Sequence, residues 1–354
     1  MIKIGDIEIT KNGKPIFIAD IAANHDGDLQ RAFHLIELAK EAGADIAKFQ
    51  NFKAEKIVSK NAFDNMPRQT HQAGWSKSVF EVYQDASLAD EWTEKLKEKC
   101  NEIGIEYMTS PYDFESVDLA DQYSNAFKIG SGDVTWTEML EYIASKSKPV
   151  LLATGASELE DVKRAMQILQ RHTEDIVLMQ CNTNYTVDRE NFKSINLNVL
   201  KLYNELYPDT VLGLSDHTPG CTTVLGALAL GARVFEKHFT DDNNRIGPDH
   251  KFAMNPIGWR DMVEKSMDLF YALGDGIKRV EDNEKSSRIV QQRSVYFCRD
   301  MKRGEKITKA DIFPVRPINL EGFYPYEVDK IVGKVLKEDV SKDSAVLRKD
   351  ILDA

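Results

Sequence analysis

The sequence lacks the features that mark several classes of protein. Its 354 residues include only four cysteines, Cys100, Cys181, Cys221 and Cys298, and no two of them form a CxxC pair. This scattered spacing is typical of reduced, mostly buried thiols rather than of a disulfide framework. No apolar run approaches the roughly 20 residues that cross a bilayer, and the N-terminus has no apolar signal-peptide core. We therefore expect a cytoplasmic protein with no membrane partner.

Concentrations of basic residues are also missing. The chain has 57 Asp and Glu residues against 46 Lys and Arg, which gives a formal net charge of −11. Because nucleic-acid binding needs clustered Lys and Arg facing phosphates, this balance argues against a nucleic-acid partner. No glycine-rich GxGxxG fingerprint follows the first apolar segment, which disfavours a dinucleotide-binding open sheet.

What the sequence does contain is a series of eight short apolar segments, each ending in polar residues or glycine. They are residues 16–22, 45–50, 106–111, 126–131, 150–155, 176–181, 211–216 and 233–239. Segments with helical periodicity lie between them; residues 29–44, for example, place Phe33, Leu35, Ile36 and Leu38 near one face and stop at Gly43. Eight strand–helix units in about 270 residues predict an α/β fold, a (β/α)₈ TIM barrel. A doubly wound open sheet is the alternative.

The alternating pattern breaks near residue 275. We predict a catalytic barrel over residues 1–275, a charged linker over 276–292 and a small β-rich module over 293–354. Within this module "ITKADI" (307–312) is echoed by "VLRKDI" (346–351), which predicts two quasi-repeated halves. A module of about 60 residues is only marginally stable alone, so we expect it to dock on a barrel.

Polar side chains gather where the predicted strands end, for example in "VLGLSDHTPG" (211–220), which runs from apolar residues into Ser215, Asp216 and His217. In a parallel barrel these ends share one rim, which carries the function. The predicted rim residues include Asp20, Asn24, Lys48, Gln50, Ser110, Lys128, Ser131, Asp133, Thr183, Tyr185, Ser215, Asp216, His217, Glu236 and His238.

Two histidines stand at the ends of neighbouring predicted strands. His217 and His238 could converge on one divalent ion and leave positions open for substrate and water, as a catalytic metal requires. Local hydrogen bonding of each imidazole is the plainer alternative. The barrel context favours the metal.

Two lysines lie inside apolar segments. Lys48 and Lys128 would be costly to bury without a partner, so together with Ser110, Ser131 and Ser215 they predict a cradle for a phosphate or carboxylate. In the alternative interpretation each lysine forms an internal salt bridge with a neighbouring Asp or Glu. Asp249 follows the Gly247-Pro248 turn and could bind sugar hydroxyls, although a solvated loop is also possible.

Several motifs resemble one enzyme family. "IADIAANHDGD", "AKFQ", "FKIGSGD", "GLSDHT", "GALALGARVFEKHFT" and "GPDHK" occur in the order typical of sialic acid (N-acetylneuraminate) synthases, and "KRGEKITKADIFPVRP" resembles their antifreeze-like (SAF) domain. The resemblance covers nearly the whole chain. It implies a TIM barrel that condenses phosphoenolpyruvate with an N-acylated hexosamine, typically N-acetylmannosamine, and releases phosphate with the help of Mn²⁺ or another divalent ion such as Mg²⁺. It also implies a domain-swapped homodimer.

The resemblance assigns roles position by position. His217 and His238 would bind the metal, and Asp20 or Asp133 would handle protons beside Lys48 and Lys128. The residues expected to contact phosphoenolpyruvate are Lys48, Gln50, Ser110, Lys128, Ser131, Thr183 and Ser215. The residues expected to contact the sugar are Asn24, Tyr185, Asp249 and Arg316, the last reaching in from the partner subunit.

Some positions depart from the family pattern. Asp20 and Asp133 stand where the family often has Glu, Thr183 occupies the slot of an Asn, and Thr186 replaces a Pro. These changes affect the identity of the sugar more than the reaction. The alternatives are therefore a legionaminic or pseudaminic acid synthase or a 9-phosphate synthase of the same family. From other classes, we consider a metal-dependent barrel hydrolase, a barrel synthase acting on unaminated sugar phosphates, and a catalytically dead sugar-binding protein.

Overall fold

The chain divides into two compact units, which are described separately. The structure, a computed structural model, describes residues 1–68, 72 and 74–352. The first unit spans Met1–Gly274 and the second Asp275–Ala354. The last two residues of the predicted C-terminal module, 353 and 354, lie outside the described residues.

The first unit contains a closed eight-stranded barrel in which every pairing is parallel. After a short hairpin of β1 (Ile2–Ile4) and β2 (Ile7–Ile9), the barrel strands are β3 (Ile16–Asp20), β4 (Ile46–Asn51), β5 (Glu106–Pro111), β6 (Phe127–Ile129), β7 (Val150–Ala153), β8 (Ile176–Cys181), β9 (Val211–Asp216) and β10 (Val234–His238). Each strand pairs with the next, and β10 closes the ring on β3. The predicted TIM barrel is confirmed, and the open-sheet alternative is wrong.

Helices connect the strands, as parallel pairing requires. They are α1 (Leu29–Glu41), α2 (Ala54–Ile57), α3 (Lys60–Asp64), α4 (Val79–Ala86), α5 (Trp92–Ile103), α6 (Phe114–Tyr123), α7 (Thr137–Ala144), α8 (Leu159–Leu169), α9 (Val199–Leu206), α10 (Thr222–Ala229) and α11 (Pro256–Leu273). Asp28 caps α1 by accepting hydrogen bonds from the backbone N–H groups of Gln30 and Arg31. Gly104 ends α5 with a φ of 75°, a left-handed conformation that glycine adopts without strain.

The buried face of α1 differs from the predicted one. Ala32, Leu35, Ile36 and Ala39 are buried there, whereas Phe33 and Leu38 are only partly buried. The predicted face consisted only of large apolar side chains. Small alanines let the helix approach the strands closely, so they occupy the centre of the contact and the larger residues lie at its edges.

The barrel has two apolar layers. One lies between the strands and the helices, and the other fills the barrel interior below the rim. Ile2, Ile4 and Ile9 of the N-terminal hairpin belong to the interior cluster, together with strand residues such as Ile18 and Ile46. The hairpin, which the sequence did not reveal, therefore closes the end of the barrel at which the strands begin.

The second unit is small and built mostly from turns. It contains α12 (Lys285–Gln291), formed by residues of the predicted linker, and an antiparallel pair, β11 (Ser294–Phe297) and β12 (Ile312–Val315). The internal echo is visible in the structure. The carboxylate of Asp311 accepts from the N–H of Thr308 at 2.8 Å, and that of Asp350 accepts from the N–H of Leu347 at 2.9 Å. The residues that follow, Ile312 and Ile351, are both buried.

Within the described residues, no helix has the length and apolar character needed to span a bilayer.

We expect Ile4→Ala to lower the free energy of unfolding of the barrel by about 2–5 kcal/mol, because Ile4 is fully buried in the interior cluster and its loss leaves a cavity. Urea unfolding followed by tryptophan fluorescence measures this change. Lys3→Ala, on the exposed face of the same strand, is the control and should change stability by less than about 0.5 kcal/mol. Equal effects of the two substitutions would contradict the role of the hairpin.

Candidate active site

A cavity of about 400 Å³ opens where the barrel strands end. Thirteen of the fifteen predicted site residues line it. They are Asp20, Lys48, Gln50, Ser110, Lys128, Ser131, Asp133, Thr183, Tyr185, Ser215, His217, His238 and Asp249. This placement explains why "VLGLSDHTPG" changes from apolar to polar, because Ser215 and His217 have reached the rim of the barrel. Asn24 is not in the cavity wall, and Arg316 belongs to the second unit.

Four charged groups form the floor of the cavity. The Lys48 ammonium lies 2.6 Å from a carboxylate oxygen of Asp20 and 3.6 Å from Glu236. The Lys128 ammonium lies 3.4 Å from the same Glu236 oxygen. The internal salt bridges considered above as an alternative are therefore present. They do not remove the lysines from the cavity, since all four side chains line it.

Glu236 links the two lysines, and the sequence gave it no assigned role. Burial alone would raise the pKa of its carboxyl, but the ammonium groups of Lys128 and Lys48 lower it to about 2. Burial raises the pKa of Asp20, against the opposing effect of Lys48. One signal for Glu236 was available: it precedes His238 by two residues, so both side chains face the same side of β10.

Three hydroxyl groups stand beside the lysines. Ser110 lies 3.5 Å from the Lys48 ammonium, and Ser215 donates to Glu236 at 3.2 Å. Ser131 accepts from the backbone N–H of Gly155 at 2.9 Å. A Cβ on Gly155 would lie 2.6 Å from Thr183 and 3.0 Å from Ser131, so the backbone approaches these side chains as closely as glycine allows. Ammonium and hydroxyl donors around one cavity suit an anion rich in oxygen atoms.

The two histidines converge on the same cavity. Their ring centroids are 5.4 Å apart, and Nδ1 of His217 lies 2.8 Å from the carbonyl oxygen of Asn182. That contact requires Nδ1 to carry the proton, which leaves the Nε2 lone pair available. Burial and, next to it, the neighbouring His238 lower the pKa of His217 to about 4, so the ring is neutral at pH 7.

These features fit a divalent ion. A neutral imidazole that donates its second N–H to a backbone carbonyl is the usual arrangement of a metal-binding histidine. Ring centroids 5.4 Å apart also suit two ligands with nitrogen–metal distances of about 2.1 Å. Among the described residues, however, no group of three or more His, Cys, Asp or Glu side chains is arranged to hold a metal. An ion here would need water or substrate as further ligands.

The loop after β10 contributes a carboxylate to the site. Asp249 accepts from the backbone N–H of Ala23 at 3.3 Å, and its carboxylate lies 3.7 Å from Nδ1 of His238. Burial raises the pKa of Asp249. Tyr185 packs on His217, with ring centroids 4.2 Å apart. Both residues predicted to bind sugar in this region therefore lie next to the histidine pair.

Asp133 differs from Asp20 in its surroundings. Burial raises the pKa of Asp133 to about 6, while Lys128 partly opposes the shift. In the described part of the chain no side chain hydrogen-bonds to its carboxylate, whereas Asp20 accepts from Lys48 at 2.6 Å and from Gln50 at 3.1 Å. A carboxyl group that titrates near neutral pH is suited to proton transfer.

Two predicted residues are not among these thirteen. Asn24 is buried outside the cavity, and its amide donates to the carbonyl oxygen of Phe239 at 2.9 Å. It fixes the chain just after β10 rather than facing a ligand in this structure. Arg316 is an exposed residue of the second unit, so the first unit alone says nothing about its predicted contact. Cys181 lines the cavity, but burial raises the pKa of its thiol, which disfavours a thiolate nucleophile.

One wall of the cavity was missed entirely. It is largely apolar and aromatic, and its residues are Phe52, Ile57, Trp75, Val82, Tyr83, Ala86 and Tyr112. Most come from the long connection between β4 and β5. The ring centroid of Phe52 lies 5.5 Å from that of Tyr83 and 6.0 Å from that of Tyr112. The polar groups at strand ends carried the sequence signal for a site, whereas nothing in the sequence distinguishes these apolar residues from ordinary core residues.

Comparison with known proteins identifies the family. Residues 35–278 match the NeuB family, and residues 292–352 match the SAF domain.

Similar proteins cover both units. The N,N'-diacetyllegionaminic acid synthase of Legionella pneumophila is 34% identical over 336 residues, which cover 93% of this chain and 92% of that protein. The protein of the same name from Campylobacter jejuni is 32% identical and covers 94% and 99% of the two chains. Among solved structures, the N-acetylneuraminic acid (sialic acid) synthetase of Leptospira borgpetersenii superposes with a TM-score of 0.71 at 25% identity, over 81% of this chain and 94% of that one.

Proposed function

The chain belongs to the NeuB family of nonulosonic acid synthases, and from that premise we propose that it condenses phosphoenolpyruvate with an N-acylated hexosamine and releases phosphate. The observation that carries the proposal is the cavity, in which two buried lysines and three serines face two imidazoles. Carbon 3 of phosphoenolpyruvate would attack the aldehyde carbon of the open-chain sugar. Water would add at carbon 2, and the resulting tetrahedral species would expel phosphate.

Lys48 and Lys128 would hold the phosphate and carboxylate of phosphoenolpyruvate. Gln50, Ser110, Ser131, Thr183 and Ser215 would complete the hydrogen bonds. Both ammonium groups already face carboxylates of the protein, at 2.6 Å and 3.4 Å. Their charges are therefore preorganised before the substrate arrives, and little reorganisation is needed as charge develops in the transition state.

Asp133 is the residue that we propose to hold or release a proton during the reaction. Its pKa of about 6 lets it accept a proton near neutral pH and return it. Asp20 remains the second candidate. Its contacts with Lys48 and Gln50 favour a role in fixing Lys48.

His217 and His238 are the residues that would hold a divalent ion, Mn²⁺ or another such as Mg²⁺. When bound, the ion would supply Lewis-acid polarisation of the sugar aldehyde oxygen. Asp249 and Tyr185, which lie beside the histidines, would contact the sugar hydroxyls and its ring.

The acceptor is proposed from two observations. Two similar proteins are named as N,N'-diacetyllegionaminic acid synthases, and the aromatic wall offers apolar surface to methyl and acetamido groups. We therefore place a 2,4-diacetamido-trideoxyhexose first and N-acetylmannosamine, the acceptor expected from the sequence, second. Lys48 and Lys128 are the only Lys or Arg residues of the described first unit in the cavity wall. A phosphorylated acceptor would need a further cation beside these two.

Phosphate release from phosphoenolpyruvate, measured with Mn²⁺ and each of the three sugars in parallel, tests this function. We expect turnover with the 2,4-diacetamido sugar, weaker turnover with N-acetylmannosamine and little with its 6-phosphate, because no third Lys or Arg among the described residues of the first unit lines the cavity. Binding of a sugar without phosphate release in any reaction would instead support a catalytically dead sugar-binding protein.

Within the same assay, Lys128→Ala should lower kcat/KM for phosphoenolpyruvate by about 100-fold or more, a loss of roughly 3 kcal/mol of transition-state stabilisation. Lys163→Ala is the matched control, because this lysine lies on the surface of α8 and pairs with Glu160. An unchanged kcat/KM in Lys128→Ala would remove Lys128 from the proposed mechanism.

The pH dependence of kcat/KM for the sugar tests the role of Asp133. Its carboxyl is protonated below its pKa of about 6, so activity should fall as the pH is lowered through this value. Asp133→Asn should be slow and should lose this acidic limb. Phosphoenolpyruvate affinity measured over the same pH range corrects for titration of the substrate. If the limb persisted unchanged in Asp133→Asn, the proton would be handled by another group.

We also propose a domain-swapped homodimer in which Arg316 of one subunit contacts the sugar in the other. The support is the resemblance together with the match of residues 292–352 to the SAF domain. Light scattering of the intact protein should give the mass of a dimer, and Arg316→Ala should raise KM for the sugar more than KM for phosphoenolpyruvate. A monomer with full activity would contradict both statements.

A further inference from the structure

A second buried ion pair lies directly behind the two histidines. Lys237 and Asp216 are 2% and 3% exposed, and the Lys237 ammonium donates to the Asp216 carboxylate. It also donates to the carbonyl oxygen of Thr218 at 2.6 Å. The two residues are register partners on adjacent strands β9 and β10. Each immediately precedes one of the histidines in the sequence.

This pair faces away from the cavity. Successive side chains of a strand alternate between its two sides. Ser215, Glu236 and the two histidines line the cavity, and Asp216 and Lys237 do not. Earlier helix-facing residues of these strands, Leu212, Leu214 and Phe235, belong to the apolar layer beneath the helices. The ion pair therefore interrupts an apolar row only at the level of the histidines.

Asp216 connects the pair to the loop that follows His217. Its carboxylate accepts from the N–H of Thr218 at 3.2 Å, from the Thr218 hydroxyl at 2.9 Å and from the Thr223 hydroxyl at 2.7 Å. Thr223 lies in the first turn of α10. One carboxylate thus fixes the end of β9, the turn after His217 and the start of the next helix, while Lys237 ties all three to β10.

Stability is a weak explanation for such a pair. Removing two charges from water is costly, and apolar residues of similar volume often serve as well or better. The charged pair provides directional hydrogen bonds, which apolar packing does not. These bonds fix the distance between the two strand ends and their relative rotation.

We propose that the Asp216–Lys237 pair is a positioning device that sets the spacing of His217 and His238 and thereby the affinity of the site for its divalent ion. This inference rests on the metal site of the proposed function. It assigns the pair no contact with substrate. The pair acts on the histidines through the backbone of β9 and β10.

The test is Mn²⁺ affinity of the substrate-free protein, measured by isothermal titration calorimetry. The variant is the double substitution Asp216→Asn with Lys237→Met, which removes both charges together. The Asn oxygen can still accept from Thr218 and Thr223, and no unpaired charge is left buried. We expect Mn²⁺ to bind at least about 10-fold more weakly, the range seen when groups that orient metal ligands are removed. Phosphoenolpyruvate binding without metal should change by less than about 3-fold, because neither residue lines the cavity.

The matched control neutralises an ion pair at the other end of the barrel. Lys97 on α5 lies 2.9 Å from Glu106, the first residue of β5, and both side chains are largely buried. Lys97→Met with Glu106→Gln should leave Mn²⁺ affinity unchanged. An equal loss in the two double variants would mean that Mn²⁺ affinity follows general stability, and it would overturn the proposal.

The remaining outcomes are also decisive. Wild-type Mn²⁺ affinity in the Asp216/Lys237 double variant would overturn the inference and leave the proposed function intact. A parallel loss of phosphoenolpyruvate binding would also overturn it, because the damage would then extend beyond the histidines. No Mn²⁺ binding by the wild-type protein would instead remove the metal from the proposed function, and the inference with it.

If the double variant does not fold, Thr223→Val carries the test. It removes the 2.7 Å hydrogen bond from Thr223 to Asp216 and the 2.9 Å contact between the Thr218 and Thr223 hydroxyl groups, and it keeps the ion pair. Mn²⁺ should then bind several-fold more weakly at an unchanged melting temperature, and unchanged affinity would overturn the proposal.

Discussion

Two ammonium groups are buried at the mouth of the barrel, and each needs a negative partner within a few ångströms. In the structure Glu236 stands 3.6 Å from Lys48 and 3.4 Å from Lys128, and Asp20 stands 2.6 Å from Lys48. The parallel register makes this possible, because it aligns Asp20 with Lys48 on one side and with His238 on the other. Closing the ring between β10 and β3 therefore brings acidic and basic groups from distant parts of the chain to one place.

The same pairing explains how a protein with a net charge of −11 can offer a site for an anion. Lys48 keeps its charge because the carboxylates of Asp20 and Glu236 outweigh the effect of burial and raise its pKa, and Glu236 stays ionised because the two ammonium groups lower its pKa. An anionic substrate would take over contacts that protein carboxylates make in its absence. Because the donors are fixed by strands rather than by loops, they are held in position before the substrate arrives.

Much of this could be predicted from sequence. Three strands, β5, β8 and β9, have the predicted bounds, since apolar runs that end abruptly in polar residues are typical of buried parallel strands. Of the fifteen site residues assigned from the family resemblance, thirteen line the cavity. Glu236 was predicted on the rim but was given no role, because that role depends on two lysines that are distant in sequence. The aromatic wall was overlooked because nothing local separates Phe52 or Tyr83 from core residues. Asn24 lies outside the cavity wall, since a polar residue after a strand can bond to the backbone, as the Asn24 amide does to the carbonyl oxygen of Phe239.

The two faces of β9 and β10 have different roles near the histidines. Toward the cavity, Ser215, His217, Glu236 and His238 present groups that can bind ligands. Toward the helices, Asp216 and Lys237 satisfy one another and the turn that follows. Both sets of charges are buried, because helices cover the outer face of the strand ends and the cavity wall encloses the inner face. The charge pair on the outer face is therefore best understood together with the inner face: the outer pair can fix the strand ends with directional bonds, while the imidazoles on the inner face line the cavity.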